Sequence, residues 1–102
     1  MELKPGSRWK SAVCDTEVVV VRATAGDVQL ECGGQPMVAH NGEKPAGLAI
    51  APDFSGGTQA GKRFADETSG LEILATKGGA GSLSVDGRPI GAKEAKKLPA
   101  SD

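Results

Sequence analysis

Two cysteines, one histidine and a glycine-rich stretch ending in lysine are the residues of this chain whose chemistry could define it. Cys14, Cys32 and His40 are the soft or basic donors, and His40 is the only histidine. A thiolate is a nucleophile and a metal ligand, and imidazole can serve as a base or a further ligand. As a hydrolytic pair, Cys14 and His40 would need hydrogen-bond contact and a third group to orient the ring. Nothing in their spacing supplies either, so a cysteine hydrolase is not expected. As a ligand set, Cys14, Cys32 and His40 with Asp15 or Glu31 could complete a four-donor site. Gly56-Gly57-Thr58-Gln59-Ala60-Gly61-Lys62-Arg63 nearly fits a phosphate-cradling loop. Arg63 replaces the hydroxyl that would hold magnesium, and no helix pattern follows, so a flexible loop is expected there and not a nucleotide site. Gly79-Ala80-Gly81 starts like a dinucleotide fingerprint but opens a strand, leaving a pyrophosphate no helix N-terminus. Asp66-Glu67 lies in a polar turn and reads as solvated carboxylate.

The elements that must position these residues are short strands. The chain has 102 residues with 15 Gly and 6 Pro, and its apolar runs are brief and punctuated by turn dipeptides. Glu17–Ala23 is rich in β-branched residues, and in Val28–Cys32 the residues Val28, Leu30 and Cys32 share one face. With Ala25-Gly26-Asp27 between them they predict a hairpin. From Gln35 to Gly57 three prolines interrupt any ladder, leaving only Leu48-Ala49-Ile50 as a candidate strand. A second unit is expected over 58–91: Thr58–Phe64, then Leu71–Lys77 with Leu71, Ile73 and Ala75 on one face, then Ser82–Val85 and Arg88–Ile90. The turns Gly78-Gly79-Ala80-Gly81 and Asp86-Gly87 would make it an antiparallel meander. Residues 92–102 read as a solvated tail with marginal helical character. The whole predicts an all-β protein of short antiparallel strands, a small barrel or sandwich in one domain over 1–91.

Ser11-Ala12-Val13-Cys14, the strand at 17–23, and Cys32-Gly33-Gly34-Gln35-Pro36-Met37 together resemble desulforedoxin and the N-terminal domain of desulfoferrodoxin. The resemblance covers residues 7–38. In that family two cysteine knuckles flanking a hairpin hold iron in a tetrathiolate site. Cys14 and Cys32 match two of the four ligands, while Ser11 and Gly33 stand at the other two. The resemblance therefore implies a scaffold whose metal site is degenerate, and two thiols that point at one vacated centre and lie close together. Three fates are open to them: buried apolar fillers, a disulfide, or a remnant iron or zinc site drawing on His40.

Composition narrows the function. The charge is balanced, 12 Lys+Arg against 13 Asp+Glu, so no general attraction to nucleic acid or anionic membrane is expected. With one Trp, two Phe and no Tyr, base-stacking platforms are scarce. The longest aliphatic run, Val18–Val21, is far too short to span a bilayer, and the first residues do not read as a secretory signal, so a cytoplasmic protein is expected. Trp9 and Phe64 are expected in the core. The alternative makes Trp9, Arg63 and Phe64 a protein-binding anchor flanked by Arg8, Lys10 and Lys62. The leading expectation is a small non-catalytic accessory or protein-interaction module without a cofactor, with a protein partner or a second copy. The alternative is a metal-binding or redox protein using Cys14 and Cys32, completed across a dimer.

Overall fold

The computed structural model describes residues 3–23, 27–45, 47–66 and 68–92. Its strands are β1 Arg8–Lys10, β2 Glu17–Arg22, β3 Leu30–Cys32, β4 Gln35–Pro36, β5 Val38–Ala39, β6 Arg63–Asp66, β7 Leu71–Lys77, β8 Leu83–Val85, β9 Arg88–Pro89 and β10 Gly91–Ala92. A single 3-10 turn, Pro52–Phe54, is the one helical element among the described residues. The strands form two antiparallel sheets, ordered β10-β6-β7-β2-β1-β5 and β4-β3-β8-β9, without closing into a barrel. The all-β expectation holds, and of its two forms the layered one is realised.

Side-chain alternation explains the layers. Val18 and Val20 of β2 and Leu71, Ile73 and Ala75 of β7 turn inward from the larger sheet. Leu30 and Cys32 of β3 and Leu83 and Val85 of β8 turn inward from the smaller one. All nine belong to one apolar cluster, joined by Leu3, Met37, Phe64 and Ile90. Each aliphatic side chain buried there contributes on the order of 2 kcal/mol.

This layering overturns the expected hairpin. β2 pairs with β1 and β7, while β3 pairs with β4 and β8, so the two segments lie in different sheets. Side by side in one ribbon, their apolar faces would share a surface open to water. Facing each other across the core, they cover one another. Ala25 and Gly26 of the expected turn lie outside the described residues. The expected meander divides in the same way: β6 pairs with β7 and β8 with β9, but residues 78–82 carry the chain from one sheet to the other instead of reversing it. The Asp86-Gly87 turn closes β8–β9 as expected. Leu48–Ile50 forms no strand. Ala92, assigned to the tail, pairs with Phe64 in β10, and 93–102 lie outside the described residues.

An unforeseen hairpin joins β3 to β4. Gly33 and Gly34 both take positive φ, 66° and 82°, as a two-residue turn matched to strand twist requires. Both outer strands of the smaller sheet contain a proline, Pro36 in β4 and Pro89 in β9. At the end holding the β6–β7 and β8–β9 turns, the Asp66 carboxylate accepts from Arg88 Nη2 at 2.8 Å and Ser69 Oγ at 2.6 Å, tying β6 to β9. The 78–82 crossover lies at the other end of β7 and β8, with the cysteines.

Candidate functional site

Residues 11–16 connect β1 to β2 and wrap around a fully buried serine. Ser11 N–H donates to the Thr16 carbonyl at 2.8 Å, closing the loop. Ser11 Oγ accepts from the backbone N–H groups of Val13 and Cys14, each at 3.1 Å. Ser11 also keeps a hydroxyl proton of its own to donate. Cys14 Sγ lies 3.3 Å away; as a thiol it donates to Ser11 Oγ, and as a thiolate it accepts the Ser11 hydroxyl proton. Thr16 Oγ1, also fully buried, is 3.3 Å from the same sulfur, and Gly81 N–H donates to it at 3.4 Å. Once Cys14 is ionised, the Ser11 and Thr16 hydroxyls can join the Gly81 N–H in donating to its sulfur, an arrangement that favours thiolate.

Cys32 reaches the site from the other sheet. It sits on β3 with no exposed surface, and its Sγ is 3.8 Å from that of Cys14. Both are free thiols. The expected closeness of the pair is therefore present, although the hairpin expected to produce it is not. Their surroundings separate their acidities. Burial opposes ionisation of Cys14, but the hydrogen bonds from Ser11, Thr16 and Gly81 outweigh it and lower the thiol to about 7. Burial pushes Cys32 up to about 11, and the neighbouring Cys14 charge adds to the rise.

The crossover closes the site. Thr58 and Gly79 exchange backbone hydrogen bonds of 2.9 and 3.1 Å, and Thr58 Oγ1 donates to the Gly81 carbonyl at 2.7 Å. So anchored, Gly79 lies so near the cysteine loop that a Cβ there would come within 2.8 Å of Cys14 Sγ and 2.7 Å of Thr16 N. Lys44 Nζ donates to the Cys14 carbonyl at 2.7 Å from the solvent side.

The other expected site residues lie apart from this pair. His40 Nε2 is 3.6 Å from a Glu17 carboxylate oxygen, and among the described residues no three His, Cys, Asp or Glu side chains group to hold a metal. Ser11, which the resemblance sets in place of a thiolate, has its oxygen engaged by the backbone N–H groups of Val13 and Cys14 and by the Cys14 thiol. Phe64 is packed in the core and leaves no ring exposed for a partner; Trp9 is half-buried against the same core. Both rings belong to the sheet interior because their strand partners, Ile73 and Val18, face inward. Arg63 alone of the expected anchor is exposed. Sequence reasoning missed Thr16, Gly79 and Gly81. The glycine cluster was the available signal, but it reads equally well as a simple reversal. Compared with protein-family models, with curated proteins and with solved structures, the chain matches none.

Proposed function

We propose that the protein is a thiol–disulfide redox module whose working group is the Cys14–Cys32 pair. The observation that carries this reading is the gathering around Cys14 Sγ of three groups able to donate to its thiolate, the Ser11 and Thr16 hydroxyls and the Gly81 N–H, with a second, protonated thiol 3.8 Å away. Cys14 is then the attacking thiolate and Cys32 the resolving thiol. With a low-molecular-weight disulfide as oxidant, Cys14 Sγ bonds to one sulfur of the disulfide and expels the other as thiolate, which takes up a proton. Cys32 gives up its proton and attacks Cys14 Sγ, forming the internal disulfide and releasing the second small thiol. The pair loses two electrons and the oxidant gains them. The couple is stoichiometric, so the reading does not make the chain an enzyme, and it is compatible with an accessory role in which a partner sets or uses the redox state.

Equilibration of the reduced protein in glutathione redox buffers, followed by non-reducing peptide mass mapping, tests the reading. A Cys14–Cys32 disulfide is expected, with a stable mixed disulfide on Cys14 in Cys32→Ser. Absence of the internal disulfide under oxidising buffer would overturn it.

A further inference from the structure

The outer face of the larger sheet carries a feature that the thiol chemistry does not use. Strand register places Arg8 opposite Val19, Val19 opposite Leu74, and Leu74 opposite Arg63. Directly opposed residues in antiparallel strands share a face, so these four form one row across β1, β2, β7 and β6: cation, aliphatic, aliphatic, cation. Three strand spacings separate the two arginines, roughly 14 Å. Val21, 40% exposed, extends the apolar strip along β2, and a recess of about 260 Å³ opens beside it, lined by Arg8, Glu17, Val18, Val19 and Thr76.

The charges of this face are unevenly satisfied. Glu17 is engaged by Lys77 at 3.8 Å and by His40 at 3.6 Å, and Glu72 also has a partner. Arg8 and Arg63 are exposed, and among the described residues neither guanidinium has an ion-pair partner. The outward side of the smaller sheet differs: there Glu31 accepts from Ser84, Gly87 and Gln29, a polar network complete in itself. From this juxtaposition we infer that the Arg8–Val19–Leu74–Arg63 row is a docking surface for an acidic protein segment, in which two carboxylates about 14 Å apart flank aliphatic side chains. In an extended segment, four residues separate carboxylates at that distance.

Two other occupants fit less well. Nucleic acid offers negative charge, but Trp9 and Phe64 both turn away from this face, so no ring of theirs stacks on a base, and Glu17 and Glu72 border the row. A second copy related by a two-fold axis would set arginine against arginine, because the row reads the same in both directions.

Selection of a random twelve-residue peptide library against the immobilised full chain tests the proposal. Enriched peptides are expected to carry acid–aliphatic–acid patterns, to shift the amide resonances of Val19 and Leu74, and to bind about tenfold or more weakly to the Arg8→Glu/Arg63→Glu variant. Both side chains are exposed, so that variant should unfold at the temperature of the parent, which serves as its folding control. The proposal is overturned if no peptide enriches, if enriched peptides lack acidic residues, or if the double variant binds them equally. It is also overturned if the row proves to be covered by a second copy in solution, or if an oligonucleotide displaces the peptides. Each outcome can be read with both thiols reduced or oxidised, so the redox reading stands or falls separately.

Discussion

Cys14 and Cys32 are one residue type in opposite surroundings, and the contrast makes each separately measurable. With native reduced protein, one thiol should react with iodoacetamide along a pH profile centred near 7, while the buried second thiol stays unmodified. Peptide mapping across pH identifies which is which. Thr16→Val removes one donor at nearly constant volume, so the midpoint should move upward toward that of an ordinary thiol. Stability follows by linkage. Because the folded state lowers Cys14 from 9.0 to about 7, the unfolded chain binds more protons in that window, and stability rises as pH climbs from 7 to 9. Cys32 runs the other way: raised to about 11, it holds a proton the unfolded chain has lost, and stability falls from 9 to 11. Denaturant titrations of the reduced protein should show the rise, and Cys14→Ser should lack it. The two sulfurs were legible in the sequence as a pair. Their inequality was not, because Thr16 and Gly81 act on Cys14 through a fold that brings residue 81 to residue 14.

The elements that hold the site are connections more than strands. In the 78–82 crossover, Gly79→Ala would force a methyl group against Thr16 and Cys14. Overpacking of this kind typically costs about 1–3 kcal/mol, which thermal denaturation would register, and the displaced loop should also raise the Cys14 midpoint. At the opposite end, burial works against the Asp66 charge, but Ser69 and Arg88 hold the carboxyl below its ordinary range. Its contribution is therefore present at neutral pH and lost as pH falls through the carboxylate range, and Asp66→Asn should flatten that part of the acid-unfolding curve. Alternation in Leu71–Lys77 was legible because period-two patterning is local. Pairing was not, since β2 and β3 carry matching apolar faces and such faces are covered equally by neighbours in a sheet or by a layer above. The crossover read as a turn for the same reason: four small residues permit reversal and transit alike.

At the scale of the whole molecule, the larger sheet contributes Cys14 through the β1–β2 connection and the smaller one contributes Cys32. Oxidation would therefore join the two layers at one end, opposite the Asp66–Arg88 tie. Closing a loop of this length stabilises by roughly 3 kcal/mol, which for a domain of this size raises the unfolding temperature by about 10 °C or more. Calorimetry with and without reductant should show the difference, and Cys32→Ala should abolish it. The division of sequence neighbours between layers also bears on how the chain reaches this state. Val20 meets Ile73 and Leu30 meets Val85, so the central ladders of both sheets join the N-terminal third to the C-terminal half. Neither can form until the chain has closed a loop of about fifty residues, and that entropy is lost before any core contact compensates it. The time the protein takes to fold is thus governed by the same crossings that bring its two thiols together, and those thiols meet only once both layers have docked.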